Sequence, residues 1–252
     1  MKAPGVLLID IETAPNVGYT WGKWEQNVID FEDQWYILSF AYKWLGGKTQ
    51  VLALPDFKGY SPGSKDRDLM RKIHSLLDKA DIVIAQNGDA FDIKKINSRL
   101  LIHKMTPPAP YKTIDTLKVL RNSFAMTSNK LDDVGKVLEE GEKVKHRGFD
   151  MWLGCMAGKK NDWEDMKRYN KQDVDLLEKI YLRLRPWMKN HPNMGIHEKF
   201  LSCPKCFAHS DFLMSRGTAR SQTMIYKRFQ CKKCGGWCRG VKGERNPQVT
   251  NA

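Results

Sequence analysis

The chain has 252 residues, enough for one sizeable core plus a small appendage, and its 41% hydrophobic and 28% charged content fits a soluble globular protein. No stretch reaches 18 uninterrupted apolar residues, which argues against a membrane span, and an apolar run already carrying acids at Asp10 and Glu12 makes a poor signal peptide. The net charge of +13 favours a polyanionic partner such as nucleic acid. Residues 187–252 hold 12 Lys and Arg against 3 Asp and Glu, so the last quarter carries +9 of that excess.

In chain order, Val6–Ile11 reads as a buried strand. Tyr36–Trp44 and Thr49–Leu54, separated by Gly46 and Gly47, read as an antiparallel hairpin. Asp66–Asp78 has helical spacing, with Leu69, Ile73, Leu76 and Leu77 on one face. Ile82–Ala85 is a short strand, Phe91–His103 a helix, and Lys112–Ile114 a fifth strand. Helices follow at 115–123, 129–139, 149–156 and 161–185. This order predicts one α/β domain with a mixed five-stranded sheet flanked by helices. Pro186 and Asn190-His191-Pro192-Asn193 mark its end, which gives a main domain over 1–186 and a linker over 187–200. A small cysteine module follows over 201–240, and a polar tail over 241–252 is expected to be mobile.

Four acids in three segments stand out. Asp10 and Glu12 are two apart on a strand and so share a face, while Ile9 and Ile11 point into the core. Paired carboxylates repel and lose solvation unless something positive joins them. Asp92 lies about one turn into a helix that follows a strand, with Phe91 beside it as an expected core anchor and Asp89 as an expected cap. Tyr169 and Asp173 are i and i+4 on a long helix whose Leu176, Leu177 and Ile180 extend into the core. Singly, each has a plainer reading: a strand end meeting solvent, an acid complementing a helix dipole, a tyrosine at the core edge. Together they look like ligands for two divalent cations that promote phosphodiester hydrolysis.

Cys203-Pro204-Lys205-Cys206 and Cys231-Lys232-Lys233-Cys234 offer four thiolates to one ion. Two disulfides or free buried thiols are the alternative, disfavoured by the poor leader. His209 and Cys238 lie close enough in sequence to make a mixed set conceivable, and Cys155 reads as core. Between the cysteine pairs, Arg216, Arg220, Lys227 and Arg228 alternate with Phe212, Tyr226 and Phe229, a pattern suited to nucleic-acid contact or to docking another replication or transcription protein. The basic run Lys143-Val144-Lys145-His146-Arg147 either flanks a substrate channel or is a solvated loop. Trp21, Trp24 and Trp35 could stack bases, but aromatics near a hairpin are more often core, and no site is assigned to them.

The three acidic segments resemble the motifs of the DEDD superfamily of 3′–5′ exonucleases, which have a ribonuclease-H-like fold. Asp10 and Glu12 match its D-x-E motif. Asn87, Phe91 and Asp92 match its N-x-x-x-F-D motif. Tyr169 and Asp173 match the Y-x-x-x-D form of its third motif, and Arg168 stands where the alternative form would need histidine. The resemblance therefore is to the DEDDy subclass and covers residues 1–185. The whole chain is similar to standalone exonucleases often encoded by bacteriophages, and Cys203 to Gly236 resembles a zinc ribbon.

The resemblance implies a metal-dependent 3′–5′ exonuclease acting on DNA single strands or frayed ends. Asp10, Glu12 and Asp173 would hold one Mg²⁺ or Mn²⁺. Asp10 would bridge to a second, whose shell Asp92 completes, and Tyr169 would orient the attacking water. Cys203, Cys206, Cys231 and Cys234 would hold one structural Zn²⁺. The expected setting is the cytoplasm, that of the host if the chain is phage-encoded. Two other readings stay open: an RNA-directed exonuclease or an endonuclease using the same site, and a zinc-ribbon adaptor with an idle nuclease domain.

Overall fold

The computed structural model describes residues 3–24, 27–63, 65–142, 147–196 and 200–245. It divides into two compact units, Gly5–Ile180 and Tyr181–Ala252, the latter taking in Met1–Pro4. Most of the basic run noted above, residues 143–146, lies outside the described residues, as do residues 246–252.

The first unit is built on a five-stranded mixed sheet. Its strands are β1 (Val6–Thr13), β4 (Ile37–Trp44), β5 (Gln50–Ala53), β6 (Ile82–Ala85) and β7 (Lys112–Asp115), in the order β5-β4-β1-β6-β7. β1 lies in the middle, antiparallel to β4 and parallel to β6, and β6 pairs parallel with β7. A central strand covered on both sides is apolar along its whole buried length. Accordingly Val6, Leu7, Leu8 and Ile9 are all buried, and the apolar run ends at Asp10. The ribbon β2 (Val17–Tyr19) with β3 (Asp30–Asp33) forms a separate two-stranded sheet between β1 and β4. The sequence analysis did not anticipate it, and two of its tryptophans are not core: Trp21 is 91% and Trp24 75% exposed. Trp35 is half-buried.

Six helices follow the predicted periodicities: α1 (Arg67–Leu77), α2 (Asp92–Ile102), α3 (Thr116–Ser123), α4 (Leu131–Val137), α5 (Phe149–Met156) and α6 (Lys160–Leu184). α1 buries Leu69, Met70, Ile73, Leu76 and Leu77, the one-sided stripe expected of a helix packed on a sheet. α5 approaches α6 closely because residue 154 is glycine. A Cβ there would overlap the Asp162 carboxylate, which is buried and paired with Arg147. Asp175, read from sequence as a surface acid, accepts hydrogen bonds from Lys43 and Thr49, while Lys43 also pairs with Glu178. These contacts tie α6 to the β4–β5 hairpin.

The second unit carries a three-stranded antiparallel sheet of β8 (Leu213–Arg220), β9 (Met224–Cys231) and β10 (Trp237–Arg245), ordered β10-β9-β8. β10 runs to Arg245, past the Val241 where the polar tail was expected to begin. Two tight turns carry the cysteine pairs, and both use the same hydrogen bond. The Phe207 N–H donates to the Cys203 carbonyl, and the Gly235 N–H donates to the Cys231 carbonyl. Both turns need a left-handed residue, supplied by Phe207 at φ 60° and Gly235 at φ 74°.

Candidate active site

β1 delivers Asp10 and Glu12 where its apolar run ends, both half-buried. α6 delivers Asp173, only 2% exposed, from its middle turns. One carboxylate oxygen from each of the three lies within 4.8 Å of the others. Three carboxylates this close are mutually repulsive, and all their donors are hard oxygens. Their chemistry fits a divalent cation such as Mg²⁺.

Asp92 is also buried, at 2% exposure, on the first turn of α2. Its Oδ1 accepts from the Ile11 N–H at 3.1 Å, the peptide between Asp10 and Glu12. Burial pushes its carboxyl up to about 7 against the opposing hydrogen bonds from Ile11 and from its own N–H. The structure therefore brings Asp10, Glu12 and Asp173 into one group, with Asp92 against the same strand but outside that group. Tyr169 is half-buried one helical turn before Asp173, its ring edge-to-face with Trp152 at 6.2 Å between centroids.

The surroundings of Asp92 differ from expectation in two respects. Phe91 is 38% exposed rather than a core anchor. Asp89 pairs with Lys118 at 2.7 Å instead of capping α2. Asn87 makes the turn in left-handed conformation at φ 60°, and its carbonyl accepts from the Phe91 N–H. The carboxylate that organises this turn is Asp115, which accepts from the N–H groups of Asn87 and Asp89 and caps α3 through Leu117 and Lys118. A backbone so constrained leaves Phe91 no route into the core.

Sequence reasoning missed Asn170. This fully buried amide donates to Asp10 Oδ2 at 2.6 Å and to the Asp10 carbonyl at 3.3 Å, and it accepts from the Ser39 hydroxyl at 3.2 Å. Ser39 is itself fully buried on β4, opposite Glu12. The available signal was a serine inside the apolar run Ile37-Leu38-Ser39-Phe40-Ala41 and an amide in helical register with Val174 and Leu177. Buried polar groups need partners, and these two partner each other and Asp10.

A cavity of about 430 Å³ starts one residue beyond Glu12. It is lined by Thr13–Asn16, Trp35, Lys95, Phe149 and Trp152, the tryptophan that packs on Tyr169. Lys95 lies 3.7 Å from the Trp35 ring centroid and 5.2 Å from that of Phe91. A larger cavity of about 530 Å³, lined by Arg147, Lys159 and Asp165 among others, includes none of the four acids.

In the second unit the four sulfurs of Cys203, Cys206, Cys231 and Cys234 lie within 4.8 Å of one another. The Cys203–Cys234 and Cys206–Cys231 separations are both 3.7 Å. A tetrahedral ion with metal–sulfur bonds of about 2.3 Å needs sulfurs about 3.8 Å apart, so the donors and their spacing fit zinc. Neither Cys238 nor His209 belongs to the group; His209 pairs with Asp211 at 3.1 Å. Cys155 is buried in the main core.

No helix among the described residues is long and apolar enough to cross a membrane. No curated protein matches the chain. Among solved structures, it is similar to the family B DNA polymerase from the hyperthermophilic archaeon Pyrobaculum calidifontis. That match has 15% identity and a TM-score of 0.54, covering 74% of this chain and 25% of the polymerase. The chain thus spans about a quarter of that protein's length, and the likeness is one of fold. Residues 36–185 match the model of the RNase_H superfamily. That segment is more than half of the chain and holds four of the five strands of the mixed sheet, and the chain belongs to the RNase H superfamily.

Proposed function

We propose that this chain is a metal-dependent 3′–5′ exonuclease of the DEDDy subclass, of the standalone phage type, hydrolysing DNA phosphodiester bonds at single-stranded or frayed 3′ ends. The observation that carries the reading is the group of Asp10, Glu12 and Asp173 carboxylates within 4.8 Å, with Tyr169 one helical turn before Asp173. Asp10, Glu12 and Asp173 would hold one Mg²⁺ or Mn²⁺, and Asp10 with Asp92 a second. Bound cations there lower the pKa of water and neutralise charge on the scissile phosphate. Asn170 fixes the rotation of the Asp10 carboxylate through its 2.6 Å hydrogen bond. Tyr169, held by Trp152, would orient the attacking water through its hydroxyl. The cavity beside Thr13, with Trp35, Lys95, Phe149 and Trp152 on its walls, would receive the terminal nucleotide.

In this reading residues 1–186 are the exonuclease domain and 201–240 a zinc ribbon in which Cys203, Cys206, Cys231 and Cys234 hold one structural ion. The test uses DNA and RNA oligonucleotides of one sequence, labelled separately at either end, incubated with Mg²⁺ or EDTA. A metal-dependent ladder shortening from the 3′ end is expected, faster on DNA. A faster RNA ladder would reassign the substrate, internal cuts would make the enzyme an endonuclease, and binding without cleavage in both Mg²⁺ and Mn²⁺ would leave an adaptor.

A further inference from the structure

The two faces of the β8–β9–β10 sheet are chemically unlike. In an antiparallel pair, residues directly opposite each other share a face, and successive residues alternate between faces. Gln230 lies opposite Met214 and Trp237, Arg228 opposite Arg239, Tyr226 opposite Ala219 and Gly243, and Met224 opposite Arg245. One face therefore carries Tyr226, Arg228, Trp237, Arg239 and Arg245. Arg216 joins them, its guanidinium reaching the Met214 sulfur. No acid stands on this face. Cys231, Phe229, Cys238 and Glu244 are on the other.

Two of these arginines lie against rings. Arg239 Cζ is 3.8 Å from the Tyr226 ring centroid, and Arg228 Cζ is 5.1 Å from that of Trp237. Gly243 is needed for the first pair, since a Cβ there would stand 2.7 Å from a Tyr226 ring carbon. Arg228 Nε also donates to the Arg216 carbonyl at 3.0 Å, which fixes its stem. Arg216, Arg228, Arg239 and Arg245 are all exposed, and none has an acidic partner among the described residues. Residues 200–245 hold ten Lys and Arg against two acids, Asp211 and Glu244.

A guanidinium already parked on a ring loses little freedom when its fork closes on a phosphate. Rings and guanidinium planes side by side also offer stacking to unpaired bases. We propose that this face is a platform for single-stranded nucleic acid, a binding site separate in composition from the carboxylate site, in which Arg228 and Arg239 grip the phosphodiester backbone. It holds the strand without reading its sequence, because phosphate contacts carry no base information.

The test is fluorescence anisotropy of a labelled thymidine oligonucleotide with the full chain, zinc retained and no Mg²⁺ or Mn²⁺ added. Arg228→Ala with Arg239→Ala is expected to weaken binding by about tenfold or more and to lower the salt slope by about 1.4, two contacts at about 0.7 each on a single strand. Arg220→Ala with Lys227→Ala removes the same charge from the opposite face and is expected to cost less than about threefold. Arg228→Lys with Arg239→Lys keeps charge but loses the stacked fork and should fall between. Equal losses from the two alanine pairs, wild-type affinity in the lysine pair, or tighter binding of a blunt duplex would each overturn the proposal. Zinc content and far-UV circular dichroism matching wild type show that a loss is not unfolding. Because binding is read without catalytic cations, the result stands whether or not the chain cleaves nucleic acid.

Discussion

Single residues set both the chemistry and its cost. Asp173→Asn is expected to lower cleavage by at least about a thousandfold, since it removes a charged donor from the group of three. Thermal stability in metal-free buffer should hold or rise, because the mutual repulsion is relieved; a fall in Tm would make Asp173 a structural acid. Asn170→Ala should slow cleavage by about 10- to 100-fold and raise the Mg²⁺ concentration for half-maximal rate, as loss of a group orienting a ligand does. An unchanged Mg²⁺ dependence would restrict Asn170 to packing. Asp66, fully buried, tests a different balance. Burial opposes its charge, yet Arg99, the Ile37 N–H and His103 outweigh that and hold its carboxyl below the ordinary value near 3.8. A depressed folded pKa contributes stability that is complete above the unfolded value and lost as pH falls through the folded one. Asp66→Asn should therefore cost about 3–5 kcal/mol near neutral pH by stranding Arg99. Urea unfolding from pH 7 to pH 3 checks this: the gap to wild type should narrow below about pH 4, and a constant gap would refute the linkage.

At the scale of elements, β1 and α6 make the site because each is pinned from behind. β1 is paired on both edges, so its end cannot shift in register without moving every side chain to the wrong face. α6 is held by Lys43 through Asp175 and Glu178, by Asn170 through Asp10 and Ser39, and at its start by the close approach of α5. Gly154→Ala would drive a methyl into the Asp162 carboxylate and is expected to cost about 1–3 kcal/mol or more, read as a lower urea midpoint. A wild-type midpoint would mean that the Arg147–Asp162 pair moves aside freely. The acidic segments and almost every strand and helix of the first unit were legible in the sequence, because apolar period and turn residues report local geometry directly. The β2–β3 ribbon was not: it is short, and its Trp21 and Trp24 are exposed, so their size misled. Phe91 misled for the same reason, an apolar residue held outward by a turn that Asp115 organises from another strand.

For the whole molecule, the +13 charge resolves into two kinds of surface. One unit gathers carboxylates, and the other gathers arginines on one sheet face behind four cysteines. A unit of this size has little core of its own, with Cys203, Ala208 and Cys231 its buried centre. Metal binding is then expected to be much of its folding energy. Zinc chelation should remove a distinct transition in calorimetry and lose β-sheet signal, restored by added Zn²⁺; a thermogram unchanged by a strong chelator would mean the thiols need no ion. The sequence by itself determined the order of elements, the four acids and the two cysteine pairs, because those are properties of local spacing and residue type. Only the tertiary structure decided that Asn170 orients Asp10, that Asp92 meets the strand at Ile11 rather than joining the three clustered carboxylates, and that Arg228 and Arg239 share a face with Tyr226 and Trp237. Each of those depends on strand register and on packing between segments far apart in the chain, which no local pattern encodes.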